Sequence, residues 1–122
     1  MATVITNAGK DIVTNRIKGS GTEPNYVAWG TGAGTAAAAD TTLSTEAAES
    51  RVSGTSSRVT TTTTNDTYQV VGTITSASGQ TITNAGLFDA STSGNLFLHG
   101  DFTGVALLTG ESIQFTFKAQ LN

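Results

Sequence analysis

The C-terminal part of the chain alternates with a period of two. Ile113, Phe115, Phe117, Ala119 and Leu121 fall on one side, and Gln114, Thr116, Lys118 and Gln120 on the other. That spacing predicts a half-buried antiparallel strand with one wet face. Two further apolar runs precede it, Ile82 to Phe88 and Asn95 to Phe102, with turn-forming residues at Ser91 to Gly94 and Thr109 to Glu111. Tyr68 to Thr75 alternates through Tyr68, Val70, Gly72 and Ile74, and Tyr26 to Trp29 is dense enough to be a buried strand, with Trp29 in the core. Between them lies a run of threonines, Thr60 to Thr64, followed by Asn65 and Asp66. β-branching predicts that this run is extended, the first arm of a long hairpin that turns at Asn65-Asp66. Strands at such short spacing predict an all-β chain, an antiparallel β-sandwich or small barrel of about six to eight strands.

One segment breaks the pattern. From Ile5 to Gly19 the apolar residues Ala8, Ile12, Val13 and Ile17 fall near one helical face. The spacing predicts one short helix over about residues 7–18, with Asn7 as N-cap, Gly19 as stop, and a short arm over residues 1–6. So short a helix survives by docking on a sheet. Gly30 to Asp40 reads as a flexible loop whose glycines serve tight turns, and Leu43 as the residue that pins the following Thr42 to Ser50 loop to the core. The pentapeptide Ile5-Thr6-Asn7-Ala8-Gly9 returns as Ile82-Thr83-Asn84-Ala85-Gly86, which reads as one Asn-Ala-Gly turn signal used twice.

Composition narrows what these elements are for. The 122 residues suit a single domain over 1–122 with a core of useful size. Only 12% of residues are charged and the net charge is −3, with no cluster of Lys or Arg. Nucleic-acid binding, which depends on phosphate neutralisation, is not expected. Cysteine is absent, so there is no disulfide or thiolate metal site. No apolar run reaches the length of a membrane span, and Met-Ala-Thr-Val-Ile-Thr lacks the basic start and apolar core of a signal peptide.

Candidate chemistry is sparse. His99, the single histidine, could act as a general base oriented by Asp101 or Asp89, but reads better as a strand residue at a surface or interface. Gly30-Thr-Gly-Ala-Gly34 has its third glycine misplaced for a dinucleotide fingerprint and lacks the Gly-Lys-Ser/Thr of a P-loop. Asp89, Asp101 and Glu111 near strand ends, and Asp40, Glu46 and Glu49 in the middle loop, read as solvated turn carboxylates, without the aromatic platform of a glycosidase or the spacing of a calcium loop. No catalytic, cofactor-binding or metal-binding residue is assigned. A carbohydrate-binding or hydrolytic domain is the distant alternative.

Three stretches in order carry a resemblance: Ile5-Thr-Asn-Ala-Gly-Lys-Asp-Ile-Val; Tyr26-Val-Ala-Trp-Gly-Thr-Gly with Asp40-Thr-Thr-Leu-Ser-Thr-Glu46; and Ile82-Thr-Asn-Ala-Gly-Leu-Phe-Asp-Ala with Gly94-Asn-Leu-Phe and the final alternating strand. Together they resemble small structural proteins of tailed-bacteriophage virions. The resemblance implies a non-enzymatic virion protein, expected first as a decoration or cement protein on the capsid exterior, with a tail-fibre, baseplate or tail-adaptor component as the alternative. It carries no catalytic residue and no cofactor. The expected partners are the major capsid protein and copies of the chain itself in a homo-oligomer, or other tail proteins under the alternative. Neither nucleic acid nor membrane is expected as a partner. The candidate contact residues are Ala2, Thr3 and Val4, as an arm, and Gln114, Thr116, Lys118 and Gln120 on the wet face of the last strand, with the Gly30 to Asp40 loop as a second candidate segment.

Overall fold

A computed structural model describes residues 2–122. It contains β1 (Ala2–Ile5), α1 (Asn7–Lys18), β2 (Tyr26–Gly30), β3 (Val52–Ser53), β4 (Thr55–Val59), β5 (Thr67–Thr75), β6 (Gln80–Phe88), β7 (Leu96–Leu107) and β8 (Ser112–Gln120). All pairings are antiparallel and form two sheets, β1-β7-β6-β2-β3 and β4-β5-β8. The all-β reading holds, and of its two architectures the chain adopts the sandwich.

The core lies between the sheets. Val27, Trp29, Ile82, Leu87 and Leu98 come from the larger sheet, and Val70, Ile74, Phe117 and Ala119 from the smaller. The alternation of β8 is as read: Phe117 and Ala119 are buried, whereas Gln114, Thr116 and Lys118 are exposed. Leu121 departs from it, because the strand ends at Gln120 and leaves Leu121 64% exposed. Aromatic rings knit the two layers, with Trp29 and Tyr68 meeting Phe115 and Phe97 edge-on at 6.3 and 6.1 Å between centroids. A register shift between Leu87 and Phe88, opposite Leu98 and Leu96, leaves Phe97 as the extra residue. Such a bulge re-aims side chains, and here Phe97 joins Leu98 in the inter-sheet core while Leu96 packs on the opposite face.

That opposite face of the larger sheet is apolar as well. Ala28, Phe88 and Leu96 form a second buried cluster with Leu43, which descends on them from the long connection between β2 and β3. Leu43 does pin its loop.

The helix is where the sequence placed it, but its cap is one residue earlier. Thr6, not Asn7, is the N-cap, accepting from Gly9 N–H at 2.9 Å. The Thr6 hydroxyl also donates to the Leu96 carbonyl, and Thr6 N–H donates to Phe97 O at 3.1 Å. The Thr6 hydroxyl thus ties the helix start to β7 as well as satisfying the helix. Gly19 ends the helix in the left-handed conformation, as expected. Ile17, expected on the packed face, is 80% exposed; burial is concentrated at Gly9 and Ile12. Neither copy of Ile-Thr-Asn-Ala-Gly is a turn. The first opens α1 and the second lies inside β6, and what they share is a glycine against a β7 carbonyl: a Cβ on Gly9 would fall 2.2 Å from Phe97 O, and one on Gly86 2.5 Å from Leu98 O.

Two further expectations change. Residues 2–5 are not a free arm: Ala2 to Ile5 pair with Asp101 to Leu98 as an edge strand of the chain's own sheet. Thr60 to Thr64 are not strand; β4 stops at Val59 and the threonines form the loop to β5. Removing the cap hydroxyl tests the helix anchor. Thr6→Ala is expected to lower unfolding stability by about 1–2 kcal/mol in urea titrations, and Thr6→Ser to lose clearly less because it keeps the hydroxyl.

Candidate functional site

The connection from Gly30 to Arg51 lies across the outer face of the larger sheet, and polar side chains of that sheet hold it there. Gly30 and Gly32 run against Ser44 and Thr45, with Thr31 N–H to Thr45 O and Gly32 N–H to Ser44 O both at 2.9 Å. A Cβ on Gly30 would lie 2.5 Å from the Ser44 carbonyl oxygen, and one on Gly32 2.7 Å from Thr45 Oγ1. These glycines therefore allow close approach of two backbones rather than tight turning, and the segment is a fastened layer rather than the flexible loop its composition suggested.

His99 is at the centre of the fastening. It is 2% exposed, not at a surface. Its Nδ1 lies 2.7 Å from Asp40 Oδ2 and its Nε2 3.0 Å from Asn84 Oδ1. Asn84 is itself clamped by Ser44, whose N–H donates to Oδ1 at 3.1 Å and whose carbonyl accepts from Nδ2 at 3.0 Å. Asp101 takes Ala36 N–H at 2.8 Å and Ala2 N–H at 3.2 Å on one oxygen, joining this layer to the edge strand β1. Thr83 Oγ1 donates to the Gly32 carbonyl. Neither Asp101 nor Asp89 orients the histidine; Asp40, remote in sequence, does. Buried and bonded at both nitrogens, His99 is spent on holding a loop.

The other middle-loop carboxylates are fastenings too, Glu49 half-buried and Glu46 exposed but paired. Glu49 receives Trp29 Nε1–H at 2.9 Å, Ala77 N–H at 2.9 Å and Gln80 Nε2–H at 2.7 Å. Glu46 takes Arg51 in a two-pronged pair at 2.9 and 3.0 Å. The Arg51 guanidinium also donates to Ala90 O and Ser93 O and lies 3.5 Å from the Phe88 ring centroid. In the smaller sheet, Asp66 accepts the N–H groups of Thr61, Thr62 and Thr63 at 2.9 to 3.0 Å. This concave array of donors around one anion is why the threonines leave the strand.

These bonds shift the carboxyls. The Thr63 and Thr61 N–H groups foremost hold Asp66 far below the usual carboxylate range. Ala36 N–H lowers Asp101, and Ala37 N–H, aided by His99, lowers Asp40. At Glu49 burial opposes ionisation, but the Ala77, Trp29 and Gln80 donors outweigh it, so it too is lowered. Burial pushes the Tyr68 hydroxyl up, helped by its bond to Glu23.

The candidate contact residues sit on the opposite, open side. Thr3 of β1 and Thr116 and Lys118 of β8 line one groove of about 380 Å³, floored by Phe102 and Phe115. Both strands are sheet edges, so residues from the two ends of the chain meet there. Ala2 and Val4 flank Thr3, and Gln114 is exposed further along β8. Gln120 does not join them, because its amide donates to Asp66 and Thr62. A second groove of about 380 Å³, between α1 and the far end of β8, is lined by Ile12, Val13, Ile17, Tyr68 and Leu121. Among the described residues no cluster of His, Asp and Glu has the arrangement of a metal site.

The family described as "Podophage GP4 fiber I protein gp80" matches residues 1–120. The chain belongs to that family. No curated protein and no solved structure matches. Membership in this fiber I family supports a phage structural protein, in accord with the resemblance read from the sequence. Of the two virion placements it fits the fibre-type alternative better than capsid decoration. Sequence reasoning missed Asp40, Asn84, Arg51 and Asp66 as structural centres, because their partners lie on other elements and no spacing announces them.

Four carboxyls held low in the fold make a definite pH prediction. Their contribution is present above the ordinary carboxylate range and is lost as pH falls through it and below. The urea midpoint is expected to fall as pH drops below about 4, with a shallower slope in Asp66→Asn, which removes the most strongly shifted of the four groups.

Proposed function

We propose that the chain is a non-enzymatic structural component of a phage tail fibre, built to associate with copies of itself or with neighbouring tail proteins. The observation that carries this reading is the fiber I family match over nearly the whole chain. The site geometry supports it. The one histidine is enclosed and bonded at both nitrogens; of the carboxylates that could have paired for catalysis, Asp40, Glu49, Asp89, Asp101 and Glu111 hold backbone N–H groups and Glu46 holds Arg51. The capsid-exterior reading is the weaker of the two, because nothing in the fold favours it and the family description points to fibre.

Association falls to the side where β1 and β8 present free edges. The wet face of the smaller sheet, with Thr55, Ser57, Thr73, Gln114, Thr116 and Lys118, is rich in hydroxyls and amides, and Lys118 is the one charge among these. β8 contains no proline and no bulge to block pairing of its outer edge. Thr3, Thr116 and Lys118 are the contact residues of this reading, with Ala2, Val4 and Gln114 beside them.

Labelling the protein on intact particles with a specific antibody locates it. Label on the tail, at a copy number set by tail symmetry, is the expected result; label distributed over the head would restore the capsid reading. The contact surface has its own test. Thr116→Asp with Lys118→Glu is expected to leave the thermal midpoint of the purified chain within a few degrees, since both side chains are exposed, and to cut incorporation into particles about tenfold or more.

A further inference from the structure

We propose that His99 is held as an imidazolium in the folded protein and is a proton-dependent latch that locks the Gly30 to Arg51 layer onto the larger sheet. Asn84 sets the proton position on one side of the ring. Its side-chain amide has one orientation, because Ser44 N–H donates to Oδ1 and Ser44 O accepts from Nδ2. The atom facing His99 Nε2 at 3.0 Å is therefore an acceptor, and Nε2 carries a proton. The atom facing Nδ1 at 2.7 Å is Asp40 Oδ2, which also accepts Ala37 N–H at 2.8 Å. An oxygen taking a backbone N–H and a ring nitrogen at once behaves as a carboxylate, so Nδ1 carries the second proton. Asp40 is held in its ionised form by Ala37 N–H, against some burial, and by His99 itself.

A neutral ring has one N–H and satisfies only one of these acceptors. Losing either proton would set a bare ring lone pair against an acceptor oxygen, Asn84 Oδ1 or Asp40 Oδ2, inside a site where His99 is 2% exposed. The layer is then released at its centre. The surrounding charges are few. Asp40 comes from the layer; Asp101 lies two residues along β7 and is engaged with Ala36 and Ala2; β6 offers neutral Asn84 and Gly86; and β1 places Val4 opposite His99. The latch is closed while both ring nitrogens of His99 carry protons and Asp40 is ionised; it opens when the ring gives up one of them and, at the acid end, when Asp40 is protonated.

Nitrogen NMR of the full chain, labelled at histidine, reads the ring directly. At about neutral pH both ring nitrogens are expected in the protonated range in the folded protein. A neutral ring, bare at either nitrogen, at that pH would overturn the proposal. Amide hydrogen exchange on the same sample reads the latch. Where the same spectra show the ring giving up a proton on raising the pH, exchange at Ala37 and Ser44 is expected to gain about tenfold beyond the ordinary base-catalysed increase, as the loss of a buried bond requires. Exchange that follows only the base-catalysed line would overturn the latch. His99→Gln, uncharged at every pH, is expected to lack the step; if that variant does not fold, the ring spectrum and exchange profile of the natural chain decide alone.

Discussion

The larger sheet has two apolar faces, and covering the second one is the constraint on which the rest of the structure depends. The smaller sheet buries the inner face, but Ala28, Phe88 and Leu96 point the other way. With no helix or third sheet to cover them, the chain uses an irregular segment, residues 31–50. An irregular segment brings unpaired backbone groups to a buried surface, and each must find a partner. Asn84, Thr83, His99 and Asp101, spaced along β6 and β7, supply partners from the sheet or anchor the side chains that do. Small residues let the layer lie close: glycines 30 and 32 where two backbones meet, and Ala36, which is buried beneath it. The Gly- and Ala-rich composition that resembles a linker is what a thin, tightly bonded cover requires.

Charged side chains serve a similar end within the fold. Asp40, Glu46, Glu49, Arg51, Asp66 and Asp101 all hold parts of the chain to one another. The other nine charged residues lie on α1, in loops, at Arg58 and at Lys118. The wet face of the smaller sheet carries mainly hydroxyls and amides, with Lys118. Such a surface contributes little long-range steering and meets a partner through short-range hydrogen bonds and shape. That suits components that meet repeatedly at fixed positions in an assembly.

Much of the fold was legible because it rests on local periodicity. β8, β5 and β2 were readable from alternation or density, and α1 from a helical stripe ended by Gly19. Where a distant partner decides, the local signal misled. The Thr60 to Thr64 run has strong β propensity, yet three of its N–H groups turn inward to Asp66, and the anion outweighs propensity. Asn7 is as good a cap as Thr6 in isolation, but Thr6 also reaches the Leu96 carbonyl. Residues 2–5 looked like an arm because four residues carry too little pattern to announce pairing with β7. The candidate contact residues were drawn from the two chain ends on separate grounds, and Thr3, Thr116 and Lys118 come together only because β1 and β8 are edges on the same side.

His99 was the hardest residue to read. A lone histidine among hydroxyls has many conceivable partners, and the sequence offered Asp101 or Asp89. The sheet decides otherwise. His99 and Asp101 project from the same face of β7, so both meet the covering layer, and each takes a different part of it: Asp101 the backbone of Ala36, His99 the carboxylate of Asp40. Division of labour between two neighbours on one strand explains why the nearer acid is not the histidine's partner. It also explains why the layer is held across its width rather than at one point, and why a change of charge at His99 would loosen its centre while the attachment at Ala36 persists.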